Sequence, residues 1–198
     1  MQNLIFRTLV IVTLLGSNNT AHAADYSSLA GLPNVPALTI TPIFGYETVY
    51  RDAPSPHTST RTIYGLRLNY GIPLFSGEAE YTRGNDTENY LIAPEQIRND
   101  DERLKLGLTS AYHPIPIAFV NVRAGGQASR GNKEVTSGGV LTRTTKDLEV
   151  SPYAGAGLGF HIGSMITLSA SSTVVFRDYK EMKKNDLQNV VALSIRLR

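Results

Sequence analysis

The sequence predicts an all-β protein, an antiparallel up-and-down transmembrane β-barrel of about eight strands. Three observations carry this prediction: period-two alternation along most of the chain, tight turns that alternate with long polar connections, and charge concentrated on one strand face while the other is apolar and aromatic. A water-soluble barrel turns its charged face outward, whereas a barrel in lipid turns its apolar face outward and can hold polar residues inside. The density of charge on one face favours the membrane arrangement.

The stretch 62–81 shows the pattern most clearly. Tyr64, Leu66 and Leu68 alternate with polar or small residues, and a tight turn follows at 71–74. In the returning strand, the glutamates lie on one face and the apolar residues on the other. In an antiparallel hairpin this spacing predicts that Arg67 and Glu80 are cross-strand neighbours on the charged face. We take this hairpin as the repeating unit.

The first 23 residues have the pattern of a secretory signal peptide. A positive charge at Arg7 precedes an apolar run at 9–15, and Ala21-His22-Ala23 then predicts cleavage before the next residue. The apolar run is too short to span a bilayer as a helix. The alternative is a buried N-terminal helix, which the small-residue cleavage pattern argues against.

Composition excludes several classes of protein. Without residues 1–23 the chain carries 18 basic and 17 acidic residues, a net charge of +1, which argues against a nucleic-acid binder. Cysteine is absent, so no disulfide framework stabilises the fold. No later apolar run approaches the roughly 20 residues of a transmembrane helix, so membrane crossing would be by strands. We expect 24–36 to be a periplasmic lead-in and 37–198 to form the barrel.

Eight strands follow from the alternation along the chain. Tight turns are predicted at 71–74, 113–116 and 163–164, and long polar connections at 51–59, 84–101, 129–146 and 177–186. The alternation of short and long connections is typical of bacterial outer-membrane barrels, whose long loops face outward. The predicted strands are 37–50, 62–70, 77–84, 104–112, 118–125, 148–162, 166–176 and 187–197.

Aromatic residues collect at the predicted strand ends, as in the girdles of membrane barrels. Ordinary core aromatics would not cluster in this way. The set beside the short turns is Tyr70, Phe75, Tyr112 and Phe160, and the set toward the loops is Tyr46, Tyr50, Tyr64, Tyr81 and Phe176.

The alternation assigns each strand residue to a face. Charges of both signs are interspersed on the inward face, and an eight-stranded barrel is just wide enough for side chains to fill, so we expect a filled, salt-bridged interior rather than a pore. The predicted lipid-facing residues are Leu66, Leu68, Leu104, Leu106, Leu108, Val120, Val122, Leu158, Leu168, Leu193 and Ile195, and the predicted polar interior residues are Glu47, Arg67, Glu78, Glu80, Lys105, Arg123, Glu149 and Arg196.

From residue 37 to 198 the chain resembles the small eight-stranded outer-membrane β-barrels of the OmpA and OmpX type. The resemblance is to a pattern, and it implies an integral outer-membrane protein with a structural or surface-interaction role and no catalysis. It also implies contacts with outer-membrane lipid, lipopolysaccharide and the envelope assembly machinery, and a monomeric state. Such barrels usually end in an aromatic residue, whereas this chain ends Leu197-Arg198.

Several motifs could carry other chemistry. Gly155-Ala156-Gly157-Leu158-Gly159 resembles a phosphate-binding loop, but alternation continues through it and no helix follows, so inward glycines that make room for Tyr153, Arg123 and their neighbours explain it better. The acidic stretch 85–101 could bind a divalent cation, but it lacks EF-hand spacing, and a solvated loop is favoured. We expect no metal site and no cofactor.

The histidines suggest one enzyme hypothesis. His57, His113 and His161 are predicted not to share a local cluster, and His57 with Ser55 or Ser59 is the remaining candidate for a lipid-A-modifying site at the outer rim. No carboxylate that could orient the base is evident in the local sequence. A soluble periplasmic lipocalin-like barrel is the other alternative, and it would require the two strand faces to be exchanged.

Overall fold

The computed structural model describes residues 36–51, 55–72, 74–90, 95–162 and 165–197. The predicted signal peptide, most of the lead-in and the turn at 163–164 lie outside the described residues. Nine strands account for nearly all of the described chain: β1 Ala37–Arg51, β2 His57–Ile72, β3 Phe75–Tyr90, β4 Glu95–Ile115, β5 Ala118–Ser137, β6 Val140–Thr145, β7 Glu149–Ile162, β8 Ile166–Val175 and β9 Asp186–Leu197.

Eight of these strands close into an antiparallel up-and-down barrel. Neighbours in sequence pair with each other, β5 pairs with β7, and β1 pairs with β9 to close the ring, so no barrel strand has a free edge along the ring. The predicted hairpin register is confirmed, because Arg67 lies directly opposite Glu80. Within the described residues, no helix is long and apolar enough to cross a membrane.

We call the two ends of the barrel the turn end and the loop end. The connections β2–β3, β4–β5 and β7–β8 are short and lie at the turn end, whereas the other connections lie at the loop end. The connection between β8 and β9 contains a short 3-10 helix, Met182–Lys184. The predicted charged loop at 177–186 is therefore confirmed apart from its last residue, which begins β9.

Two predicted loops are wrong. The stretch 84–101 continues β3 and begins β4, and 129–146 continues β5, turns through two glycines with positive φ, and forms β6. These extensions project as paired strands beyond the ring, because β3 pairs with β4 as far as Tyr90 and β6 pairs only with β5. Their polar residues occur on both faces, so alternation of apolar and polar residues could not reveal them.

The outward face of the ring is apolar. The outer belt is an exposed band of side chains around the ring, and it includes every residue predicted to face lipid: Leu66, Leu68, Leu104, Leu106, Leu108, Val120, Val122, Leu158, Leu168, Leu193 and Ile195. Exposed aromatic side chains border the belt at the turn end, namely Tyr70, Phe75, Tyr112 and Phe160, and at the loop end, namely Tyr46, Tyr64 and Tyr81.

The inward face is mostly polar and charged. A small apolar cluster of Ile43, Val190 and Ala192 is its main hydrophobic group. A barrel that hides its charges and exposes its leucines has the inverse of a soluble protein's arrangement. The exchanged faces that a lipocalin-like barrel requires are therefore not those of this chain.

Candidate functional site

The barrel interior contains two groups of paired charges, the first at mid-height. This central cluster consists of Arg67, Glu78, Glu80, Lys105 and Arg123, from four adjacent strands. Glu78 and Glu80 are two residues apart on β3, so period two places both carboxylates inside the ring. The Glu80 carboxylate accepts hydrogen bonds from Arg67 at 2.7 Å, Lys105 at 2.6 Å and Arg123 at 2.8 Å. Each charge therefore has a partner although all five side chains are buried.

Glu78 extends the central cluster toward β7 and the turn end. Its carboxylate accepts hydrogen bonds from Arg123 at 2.5 Å, from the Tyr153 hydroxyl at 2.9 Å and from the Thr109 hydroxyl at 2.9 Å. The guanidinium of Arg123 also lies over the Tyr153 ring, 5.2 Å from its centroid. A carboxylate with three donors is held in one orientation, so the cluster is rigid as well as paired.

The second group, which we call the upper cluster, lies nearer the loop end. It consists of Glu47, Arg61, Asp101 and Arg103. Glu47 contacts Arg61 Nε at 2.5 Å and Arg103 Nη2 at 2.7 Å, and Arg61 also pairs with Asp101. Burial alone would raise the pKa of Asp101, on the part of β4 beyond the outer belt, but the charges of Arg61 and Lys146 lower it.

Gln188 joins the two clusters. Lys105 donates to both Glu80 and Gln188, and the Gln188 amide donates to Glu47 at 2.6 Å. The resulting network crosses the full width of the ring from β3 and β4 to β9 and β1. Gln188 also donates to Gln127 at 3.4 Å. The largest members of the network are almost completely inaccessible to solvent: Arg103, Lys105, Gln127, Gln188, Glu47 and Glu80.

Six of the eight residues predicted for the polar interior are buried in this network: Glu47, Arg67, Glu78, Glu80, Lys105 and Arg123. Arg196 is half-buried and lines a cavity at the turn end. The assignment of Glu149 is wrong: its position has inward parity, but it begins β7 at the loop end, where its side chain is 47% exposed and contacts Arg177 at 3.5 Å.

Sequence reasoning missed three members of the upper cluster. Arg61, Asp101 and Arg103 have the same inward parity as the residues that were predicted, but the predicted strands stopped at 62 and 104. Extending the period-two count by three residues in each strand would have found them. The signal was present and was hidden by the polar composition of the neighbouring positions.

The glycine run on β7 has a packing role. The strand continues through it to Ile162, as the alternation predicted. A Cβ at Gly159 would overlap the Phe119 ring, and one at Gly157 would overlap the Asn121 side chain. Tyr153 is accommodated by Gly107, which lies two strands away on β4. The inward glycines thus make room for bulky neighbours, although Phe119 and Asn121 are the ones beside the run.

Two histidines that the sequence separated are together. His113 lies near the end of β4, just before the turn to β5, and His161 lies near the end of β7. Their Nε2 atoms are 3.0 Å apart. The prediction that the histidines share no local cluster is wrong for this pair, because β4 and β7 both pair with β5 and the curvature of the sheet brings their inward side chains into contact. Both rings line a cavity of about 150 Å³ at the turn end.

The rim candidate for catalysis has a different geometry from an activated nucleophile. His57 contacts the backbone carbonyl of Ser55 at 2.8 Å, and its other ring nitrogen lies 3.4 Å from Glu88. Ser59 donates its hydroxyl to Asp86 at 3.2 Å. The carboxylate of Glu88 therefore lies beside His57, which the local sequence did not show. Neither the Ser55 nor the Ser59 hydroxyl is hydrogen-bonded to the imidazole, as an activated nucleophile would be.

The acidic stretch 85–101 is engaged with protein cations. Arg51 contacts Asp86 at 2.6 Å and Glu88 at 3.0 Å, and Asp101 belongs to the upper cluster. Across the described residues, no group of three or more His, Cys, Asp or Glu side chains is placed to hold a metal ion.

Comparisons with known proteins bear on the fold. No family model matches the chain, and no curated protein matches it. Among solved structures, Ail of Yersinia pestis in complex with the heparin analogue sucrose octasulfate aligns over 81% of this chain and 99% of its own, with 12% identity and a TM-score of 0.56. OprG from Pseudomonas aeruginosa aligns over 86% of this chain and 99% of its own, with 7% identity and a TM-score of 0.53.

A third structure agrees with these two. Neisserial surface protein A aligns over 81% of this chain and 96% of its own, with 10% identity and a TM-score of 0.51. At such identities the likeness concerns the fold alone. Strand pairing, ring closure and these neighbours together show that the chain has the fold of the small eight-stranded outer-membrane β-barrels.

Proposed function

We propose that the protein is an integral barrel of the bacterial outer membrane with a structural or surface-interaction role and no catalytic activity. The observation that carries the proposal is the division of its side chains between an exposed apolar outer belt and a buried, paired charge network. Burial of that belt in lipid removes a large apolar surface from water, which is the main driving force available to such a fold.

Heat modifiability and membrane fractionation test this location. We expect the refolded protein to migrate as a compact, fast band without boiling and more slowly after boiling, and the expressed protein to be found in outer-membrane fractions. Recovery as a detergent-independent soluble protein would overturn the proposal. N-terminal sequencing of the protein from these fractions would separately test the predicted signal peptide, because cleavage at the predicted site leaves Ala24 as the first residue.

The interior network supports a closed barrel. The side chains of Arg103, Lys105 and Gln188 cross the lumen and are nearly inaccessible, so a solute path would require the buried ion pairs to separate. In planar bilayers we expect no sustained ohmic conductance. Steady single-channel current from the purified monomer would contradict a filled interior.

A row of charges supports lipopolysaccharide as a surface partner. Arg83, Glu102 and Arg130 lie opposite one another on β3, β4 and β5, on the outward face, one step beyond the belt residue Leu104 and its bordering aromatic Tyr81. This is the level at which lipid headgroups meet a membrane barrel, and guanidinium groups bind phosphate well.

Lipopolysaccharide binding can be tested with a matched control. Arg83→Gln combined with Arg130→Gln should weaken co-purification of lipopolysaccharide, whereas Arg143→Gln on β6, farther from the belt, should leave it unchanged. If both variants retained equal amounts of lipopolysaccharide, the charged row would not be its binding site. The likeness to Ail, crystallised with a sulfated sugar, makes a sulfated saccharide a useful second ligand in the same assay.

The lipid-A-modifying alternative has its own test. The contact of His57 with Glu88 is the one observation that favours it. We expect His57→Ala to leave the lipid A profile of cells unchanged. A change in acylation that is restored by the unaltered protein would establish the enzyme reading instead.

A further inference from the structure

The histidine pair at the turn end has an unusual mutual orientation. The ring planes of His113 and His161 are 12° apart, the ring centroids are 5.2 Å apart and the Nε2 atoms are 3.0 Å apart. Because the nitrogens are much closer than the centroids, the rings meet end to end, with the Nε2 lone-pair directions along one line. A shared proton occupies this line when one ring donates and the other accepts.

Neighbouring side chains hold both rings in this orientation. His161 Nδ1 lies 3.0 Å from the Thr167 hydroxyl, and the Phe119 ring contacts both imidazoles, with centroids 5.4 Å from His113 and 5.1 Å from His161. Gly159 leaves space for Phe119, since a Cβ there would overlap its ring. An imidazole fixed through Nδ1 presents Nε2 for coordination, as metal-ligating histidines commonly do.

We propose that His113 and His161 bind one singly charged, two-coordinate d10 metal ion, with Cu⁺ as the natural class and Ag⁺ as its redox-stable analogue. Two nitrogens that face each other suit a linear N–metal–N arrangement. With metal–nitrogen bonds of about 2 Å, the nitrogens would move from 3.0 Å to about 4 Å apart. Both residues lie close to strand ends beside the turns, where such a displacement disturbs few paired strands.

The surroundings of the pair favour a single charge over a double one. Arg67 and Arg196 line the same cavity, and its one carboxylate, Glu78, already accepts from Arg123 and Tyr153. A dication would be repelled more strongly by these guanidinium groups. It would also need further ligands, and among the described residues no third histidine or carboxylate joins the pair.

Proton accounting is simple. In the metal-bound state each neutral imidazole carries its proton on Nδ1. The His161 Nδ1–H group then donates a hydrogen bond to the Thr167 oxygen. When the ion replaces the N–H···N hydrogen bond, the ring that donated through Nε2 takes its proton on Nδ1 instead, so both rings stay neutral and no proton leaves the protein. The site is independent of the proposed function, because it needs the closed ring but no particular membrane or surface partner.

Isothermal titration of the refolded full chain in detergent with Ag⁺ tests the site. We expect one ion per chain, an affinity at least about tenfold lower in His113→Ala and His161→Ala, and a similar loss in Thr167→Val, the positioning residue. His57→Ala serves as the histidine control and Met165→Leu as the control for the exposed thioether at this end. Both controls should bind as the unaltered protein does.

Two additional measurements keep the proposal decidable. Should an alanine variant fail to give the heat-modifiable band, His113→Phe retains a ring against Phe119 and removes the ligand. Histidine ring resonances in NMR spectra should shift for His113 and His161 on addition of Ag⁺ and remain in place for His57. Binding that survives both ligand variants, or Zn²⁺ binding as tight as that of Ag⁺, would overturn the assignment.

Discussion

Glu80 and Glu102 show how the inward and the outward face of the barrel wall differ. Both are glutamates in regular strands with an arginine directly opposite on the partner strand. Glu80 is 1% exposed and accepts hydrogen bonds from three cations, whereas the Glu102 side chain is 54% exposed and contacts Arg83 at 3.5 Å. Water therefore screens the second pair and cannot screen the first.

Two oppositely charged residues that face each other on neighbouring strands can therefore differ widely in how much they contribute to the free energy of unfolding. Exposed ion pairs contribute about 0–1 kcal/mol, while removal of one partner from a buried pair costs about 3–5 kcal/mol because a charge remains unpaired in a low dielectric. The interior network should therefore dominate the stability of the ring, whereas exposed ion pairs on the outward face and on the strand extensions should tolerate change. Four experiments test this contrast.

The largest effect is expected for Glu80→Ala. The variant leaves Arg67, Lys105 and Arg123 with an excess of buried positive charge, and we expect it to lower the free energy of unfolding by about 3–5 kcal/mol. Urea titration in lipid vesicles measures this value. Glu102→Ala is the control and should change stability by no more than about 0.5 kcal/mol. Similar losses in the two variants would refute the contrast.

Leu106→Arg tests the outer belt. This leucine is 59% exposed on the outward face of β4 at mid-belt, and arginine there should cost about 2–4 kcal/mol in a bilayer. Leu141→Arg on β6, at a similar exposure beyond the ring, should cost almost nothing. The same vesicle titration compares them. On the inner face, Thr109→Ser should be nearly silent, and equal costs at all three sites would contradict the assignment of faces.

Gly107→Ala should have an intermediate effect. A Cβ at this position overlaps the Tyr153 hydroxyl and the backbone carbonyl of Ala124, so we expect a loss of about 1–3 kcal/mol. Gly126→Ala on the outward face of β5 meets no neighbouring atom within 4 Å and should be neutral or slightly stabilising. Thermal unfolding followed by circular dichroism distinguishes the pair. A harmless Gly107→Ala would show that the interior is less tightly packed than the structure indicates.

Lys146→Gln should have the smallest effect. The lysine contacts Asp101 at 3.2 Å but is 40% exposed, so we expect a loss of less than about 1 kcal/mol. The pKa of Asp101 is lowered in the folded protein, so its contribution is present above the unfolded pKa and disappears as the pH falls through the folded pKa. The difference between variant and unaltered protein should therefore vanish in strong acid, and a difference that grew there would contradict the ion pair.

Much of the fold could be predicted because lipid and lumen impose opposite requirements on alternate residues. Leu104, Leu106 and Leu108 on one parity, with Lys105 between them, are sufficient to assign faces in β4. The strand extensions could not be predicted in this way, since water lies on both sides of them and either face accepts polar residues. Hence 84–101 was predicted as a loop although it is paired strand.

The sequence by itself determined the number of strands in the ring, which connections lie at each end of the barrel, the outer belt and most of the charged interior, because a period of two is a local property. Only the tertiary structure decided which inward side chains meet. Ring closure brings Glu47 to Gln188, sheet curvature across β5 brings His113 to His161, and strand stagger leaves Glu149 exposed at the loop end. These contacts depend on the relative heights of strands far apart in the chain, and no local pattern records those heights.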